Sequence, residues 1–332
     1  MREELATHLE RWGAHLYRDV NPRRPGYDGH HEALVRERHA RTRDVGAVHL
    51  ELGTWTAFPD ERVAQLRREE ALAEFVRLDF EPDYRPDVAA DVTRLPFRDE
   101  SLDRVGSNSL FEHVAYPHRI IEETFRVLRP GGVMTGVMPF VFNLHGYPDD
   151  YVRLTPSFFE RVCAETGFVD VATDVEAAGG LYYTLHNSAK AAIAEGDAAR
   201  ALHTVTMTLL GALIPLDREF EGQARHWFHS VRVCAVKPGE YVPSARPPAD
   251  PGRPFAERAL DLLADPLTGA PLSRRGDRLV SRSGGARYEV RDGVPIFTRP
   301  LVARRPKSAR RFAAWRLELA RRRLVALAER GA

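Results

Sequence analysis

From Ala47 to Pro139, short runs of β-forming residues alternate with helical periods. This alternation confines the chain to an α/β architecture built on a mostly parallel sheet. The segments AVHLEL (Ala47 to Leu52), EFVRLDF (Glu74 to Phe80), PDVAADV (Pro86 to Val92), LDRVGSNS (Leu102 to Ser109) and GVMTGVMP (Gly132 to Pro139) read as strands. DERVAQLRREEALA and PHRIIEETFRVLRPGG read as helices between them, the second stopped by Pro130, Gly131 and Gly132. GFVDVATDV (Gly167 to Val175) and HSVRVCAVKPG (His229 to Gly239) add two strands, which makes seven. They are separated by a mainly apolar, helical stretch from Leu181 to Phe220, too long for a turn and suited to a lid over a substrate, with bounds near 181 and 228.

In open sheets of this kind ligands sit beyond the carboxyl ends of the strands. Those ends carry Glu51 and Gly53, Asp79, Asp91, Asn108, and then the polar run MPFVFNLHGYPDDYVRLT. A strand, a glycine, a helix and an acid ending the next strand form a nucleotide-site layout, because glycine permits close backbone approach and the acid accepts both ribose hydroxyls. The chain has no GxGxxG, which disfavours pyrophosphate binding and an NAD site. A nucleoside-like cofactor without a pyrophosphate fits better.

With 332 residues, 43% of them hydrophobic, the chain can bury one sizeable core and still form a small second domain. The net charge of +1 argues against a whole-chain polyanion binder. Cys163 and Cys234 stand far apart in apolar stretches, with no CxxC spacing, and read as buried thiols of a reducing compartment. The opening MREELATHLERWGAHLY lacks the apolar core of a secretion signal, and no run of about eighteen apolar residues suggests a membrane span. The expectation is a cytoplasmic protein with no membrane partner. PGEYVPSARPPADPGRPF is a proline-rich linker and the clearest boundary. The expected division is an N-terminal helical segment (1–44), the α/β domain (45–238), the linker (239–258), a small β-rich domain (259–298) and a basic amphipathic tail (299–332).

The stretch DVTRLPFRDESLDRVGSNSLFEHVAYPHRIIEETFRVLRPGGVMTGVMPF resembles the core of the class I S-adenosylmethionine (SAM) dependent methyltransferases, in the methyltransferase type 11 group. The ordered set LPF, LD, LFEHV and RVLRPGG carries the likeness, which with its flanks covers about residues 45 to 238. HGYPDDYVRLT is similar to a subgroup motif, HGxPxDYxRxT, found among sugar and specialised-metabolite methyltransferases. The resemblance implies a Rossmann-like, mostly parallel seven-stranded sheet and SAM as cofactor. It puts Glu51 at the acid that faces the methionine amine and Gly53 at the first glycine of the loop. Asp79 would take the ribose hydroxyls, Asp91 the adenine amine, Val92 the ring through its backbone, and Asn108 the methionine part. His113 would lie near the transferring methyl. Where the family has GxGxG, this chain has Gly53, Trp55 and Ala57. A Cβ there hinders close approach and penalises positive φ by roughly 1 kcal/mol or more. Trp55 therefore either turns into the core or stacks on, or replaces part of, the cofactor.

Methyl transfer from a sulfonium is an in-line displacement, so the protein aligns donor and acceptor and removes a proton from a hydroxyl or amine. Histidine suits the base role, and His113 and His145, with Asp150 and Tyr151 beside the latter, are the candidates. His226 and His229 flank WF without a completing ligand, and no metal is expected. From Leu262 to Phe297 the chain resembles the small zinc-ribbon-like activator family that partners tRNA and protein methyltransferases, through DPLTGAPL and YEVRDGVPIF. Asp265 and Thr268 stand at the first cysteine pair of that family, so this module should bind no zinc and should pack on the larger domain as a built-in partner. The arginine-rich tail suits docking on the protein, or on a second copy to give a homodimer, better than nucleic acid. The expected function is methyl transfer to a hydroxyl or amine of a small molecule. The alternatives are a methyltransferase fold with an altered SAM loop that is non-catalytic or repurposed, and an RNA- or protein-modifying enzyme.

Overall fold

The structure is a computed structural model that describes residues 46–54, 58–146, 149–175, 180–190, 197–220, 226–242, 246–247, 250, 253–282 and 286–298. The expected N-terminal helical segment, Trp55, Ala57 and the basic tail lie outside the described residues.

Eleven strands form one sheet: β1 (Val48–Leu52), β2 (Glu74–Asp79), β3 (Val88–Ala89), β4 (Leu102–Asn108), β5 (Leu128–Pro139), β6 (Val169–Asp174), β7 (Ser230–Val236), β8 (Leu272–Arg275), β9 (Arg278–Ser281), β10 (Arg287–Arg291) and β11 (Val294–Ile296). Their order is β6-β7-β5-β4-β1-β2-β3-β11-β10-β9-β8. β1 lies in the interior of the sheet, parallel to β2 on one side and β4 on the other. β1 is covered on both faces, so VHLEL is buried throughout even though it alternates apolar and polar residues, and its two polar side chains, His49 and Glu51, meet at 2.9 Å. β7 runs antiparallel to both β5 and β6.

The flanking helices are α1 (Asp60–Glu69), α2 (His118–Val127) and α3 (Pro156–Thr166), followed by α4 (Leu181–Lys190), α5 (Asp197–Leu213) and the short α6 (Phe255–Arg258). α2 turns Ile120, Ile121, Thr124 and Val127 inward at helical spacing. It ends at Val127, earlier than the expected stop, and Leu128 already pairs with Leu102. Pro130, Gly131 and Gly132 instead form the irregular start of β5, where Gly131 takes φ +73° and its N–H donates to the Lys237 carbonyl at 2.9 Å. α3 begins with the Thr155 hydroxyl accepting from the Phe158 N–H and ends at Gly167 with φ +109°. α4 and α5 fill the long helical insertion. The Asp217 carboxylate accepts from the N–H groups of Tyr182 and Tyr183 at 2.8 and 2.9 Å, closing the first turn of α4 from the far end of the insertion.

The expectation of a separate C-terminal β-rich domain is corrected by the sheet. β11 pairs parallel with β3 through Ile296 and Ala89, and the Phe297 N–H donates to the Ala89 carbonyl at 2.7 Å, so β8 to β11 continue the main sheet. Phe255, Ala256, Leu262, Leu263, Leu279 and Phe297 belong to the same core cluster as Val88, Ala90 and Phe97. Phe97 bridges Leu263 directly. A proline-rich linker separates segments in sequence, but β3 leaves an unpaired edge that the last strand can occupy. Among the described residues no helix is long and apolar enough to cross a membrane.

Candidate functional site

The register of the sheet aligns the carboxyl ends of its central strands. Leu52 pairs with Leu78 and Ser107, Asp79 with Ala89, and Asn108 with Val137, so Gly53, Asp79 and Asn108 stand at one level. Gly53 adopts φ +68°, and its N–H donates to the Leu78 carbonyl at 2.9 Å; the N–H of Thr54 reaches the same oxygen at 3.3 Å. A Cβ at Gly53 would lie 2.8 Å from Leu110 Cδ1, so the turn needs glycine both for its φ and for its neighbour. The family-implied residues divide by exposure. Glu51 is buried, with Oε2 2.9 Å from His49 Nε2. Asp79 is nearly buried, and its Oδ1 accepts from the Glu81 N–H at 3.1 Å. Asp91 is exposed and closes a turn by accepting from the N–H and hydroxyl of Thr93, while Val92 beside it is buried. Asn108 is exposed and accepts from the Ser109 hydroxyl.

A second group gathers beyond β4 and β5. The turn Phe111–His113 follows β4, and the loop after β5 returns over it, held by the Tyr151 N–H donating to the Glu112 carbonyl at 2.7 Å. His113 and His145, thirty-two positions apart in sequence, meet edge to face with ring centres 4.9 Å apart. His113 Nδ1 lies 2.8 Å from the Asp149 carbonyl and His145 Nδ1 lies 3.1 Å from the Asn143 carbonyl. Carbonyls only accept, so both Nδ1 atoms carry hydrogen, and a neutral ring of this tautomer offers its lone pair at Nε2. Those lone pairs face Glu112, whose Oε1 lies 3.7 Å from His113 Nε2 and 3.9 Å from His145 Nε2. Glu112 is fully buried, and neither carboxylate oxygen has a hydrogen-bond partner. Burial pushes its carboxyl up to about 7 and pulls the His113 imidazole down. Asp150 behaves oppositely: the Arg153 guanidinium, bonded to both its oxygens, holds it down at about 2. Asp150 also accepts from the His145 N–H at 3.0 Å, and the Tyr151 hydroxyl donates to Asp149 at 3.0 Å.

Glu112 is the member of this group that the sequence reading passed over. Its signal was the Glu-His pair within LFEHV, but the pairing of His113 with a distant loop histidine gives that acid its setting. His229 lies elsewhere in the same wall, between Phe142 and Tyr183 at ring distances of 5.5 and 5.8 Å, while His226 is exposed. Helix α4 thereby reaches the loop after β5, and its Ser188 hydroxyl donates to the Val141 carbonyl at 3.3 Å. A large cleft of about 1670 Å³ lies apart from the histidines, between α1, the residues around β2 and β3, and the C-terminal strands. It touches Thr54 and Phe58 of the glycine loop but none of the residues around Glu112. Cys163 and Cys234 are buried free thiols away from this chemistry, with burial pushing Cys163 up to about 12.

An interior parallel strand, a positive-φ glycine and acids at the ends of the next strands thus stand together at the carboxyl edge of the sheet, where open α/β sheets bind their ligands. Residues 47–135 match the family model described as a methyltransferase domain. The family match implies SAM as the methyl donor. Among curated proteins, the chain is similar to an uncharacterized methyltransferase of Mycolicibacterium vanbaalenii, 50% identical over 46 residues, which are 14% of this chain and 18% of that one. It is also similar to an uncharacterized chloroplastic methyltransferase of Arabidopsis thaliana, 31% identical over 97 residues, covering 25% and 27% of the two chains. The chain thus spans about a fifth to a quarter of the length of these relatives. Among solved structures, Haemonchus contortus phosphoethanolamine N-methyltransferase 2 aligns at 17% identity over 68% of this chain and 57% of that chain, with a TM-score of 0.39.

Proposed function

We propose that this chain is a SAM-dependent methyltransferase that transfers a methyl group to a hydroxyl or amine of a small molecule, a sugar or specialised metabolite. The observation that carries the reading is the coincidence of the family match over 47–135 with Gly53, Asp79 and Asn108 level at the carboxyl ends of β1, β2 and β4. The donor set fits the cofactor: a nearly buried carboxylate for vicinal hydroxyls, an exposed one beside a buried valine for a purine amine, and a turn that tolerates only glycine. SAM supplies an electrophilic methyl on a sulfonium centre.

In this reading Asp79 binds the ribose hydroxyls, Asp91 and the Val92 backbone hold the adenine, and Glu51 and Asn108 serve the methionine end. Trp55 belongs to the same loop. His113 and His145 lie on the acceptor side of the site, while Asp150 and Tyr151 keep the returning loop in place. The chemistry then reduces to alignment of donor and acceptor with water shut out. The apolar lid helices and the net charge of +1 favour a small acceptor over a polyanion. The C-terminal strands would be a built-in partner that covers the β3 edge, in the manner that the activator resemblance implies.

Calorimetric titration with SAM and S-adenosylhomocysteine tests this. Binding is expected, weakened at least tenfold in Asp79→Ala. Absence of binding, with none restored by Trp55→Gly, would remove methyl transfer and leave the altered-loop reading.

A further inference from the structure

We propose that Glu112, His113 and His145 form a binding site for one divalent transition-metal ion of the zinc class. Oxygen and nitrogen atoms from the three side chains all lie within 4.8 Å of one another. The approaches of 3.7 and 3.9 Å from Glu112 Oε1 to the two Nε2 atoms are slightly wider than the separation of ligands bonded to one ion at roughly 2.0–2.2 Å, and the remaining pair lies within 4.8 Å, so the three side chains have to draw inward around the ion.

Three independent features point to a cation. First, the Glu112 carboxylate is fully buried with both oxygens unpartnered, an arrangement that is costly for any acid and that a cation relieves. Second, each histidine holds a carbonyl at Nδ1, from Asp149 and Asn143, which is the outer-shell arrangement that fixes a ligating tautomer with Nε2 inward. Third, the loop that brings His145 to the turn is pinned from outside the cluster. Arg153 holds Asp150, Asp150 holds the His145 N–H, and the Tyr151 N–H holds the Glu112 carbonyl. Two imidazoles and one carboxylate suit zinc, cobalt, manganese or ferrous ions better than magnesium or calcium, which prefer all-oxygen shells. Three protein ligands leave at least one coordination position open. An acceptor hydroxyl is the ligand suited to that position, and this role rests on the methyltransfer reading, whereas binding of the ion does not.

The test uses the full chain, stripped with chelator and titrated with Zn²⁺ alone and with Co²⁺ alone, by calorimetry and by visible absorption of the cobalt form. One equivalent is expected, with a cobalt spectrum showing nitrogen and oxygen coordination. Glu112→Gln and His145→Ala should each weaken binding at least tenfold, and His226→Ala, at an exposed histidine outside the cluster, should leave it unchanged. His145 lies on a half-buried loop, so its variant keeps the test valid if the buried Glu112 substitution impairs folding, which a thermal melt will show. No stoichiometric binding, or binding equal in wild type and His145→Ala, overturns the site. Titration of the stripped chain with S-adenosylhomocysteine separates the two readings: metal uptake without cofactor uptake retains the site and removes methyl transfer, and the converse removes the site alone.

Discussion

A methyl group added at Gly106 would strike the Glu51 carboxylate and lie 3.2 Å from His49 Nε2, because β4 passes the acid of β1 at the closest distance a backbone allows. Gly106→Ala is expected to destabilise the fold by about 1–3 kcal/mol, as overpacking does in a filled core. It should also displace Glu51, weakening cofactor uptake beyond what the loss of stability explains; denaturant titration alongside calorimetry checks both. Asp265 shows a different residue-scale device. It is nearly fully buried, accepting from the Leu267 N–H, the Thr268 hydroxyl and the Tyr288 hydroxyl. Burial acts to raise its pKa, but the hydrogen bonds led by Tyr288 prevail and hold it below the usual aspartate range. A carboxyl lowered by folding stabilises fully above its ordinary value of about 4 and loses that contribution as pH falls through the folded value. Asp265→Asn should therefore cost about 2 kcal/mol at neutral pH and progressively less in acid, read as denaturation midpoints at several pH values. The sequence reading noted Asp265 only as standing where an activator-like module would have a cysteine; Leu267 and Thr268 are its neighbours in sequence, but Tyr288 reaches it only when β10 folds back.

At the scale of elements, β1 and β2 are buried almost throughout although VHLEL and EFVRLD interleave polar with apolar residues, so their sequences mark them as strands without showing that both faces are covered. β3 shortened to Val88–Ala89, because only Leu78, Asp79 and β11's Ile296 pair with it. The C-terminal segment is joined to the larger domain by charge as well as by strand pairing. Arg258 of α6 lies 2.9 Å from the fully buried Glu74 of β2, which also contacts Arg67, and 3.5 Å from Asp87. Arg258→Ala removes one of two cations from a buried acid and should cost about 3 kcal/mol. If the contact is structural, the melting temperature falls while binding of S-adenosylhomocysteine by the folded protein stays unchanged. No sequence periodicity announces such a pair, because its partners are 184 positions apart.

For the whole molecule, one core cluster runs from Phe159 of α3 to Leu279 of β9 and Phe297 just after β11. A chain ending at residue 238 would expose Phe97 and leave β3 as an open edge. Such a truncation is expected to be aggregation-prone, and the full chain should unfold in one cooperative transition; sedimentation and calorimetry respectively check these outcomes. The alternation of strands and helices, the acids at strand ends and the methyltransferase likeness were all present in the linear text, because local periodicity and short motifs depend on near neighbours. What tertiary structure decided was the single sheet and the company of Glu112. An edge strand's partner and a buried acid's surroundings are set by segments distant in sequence, and only folding brings them within bonding distance.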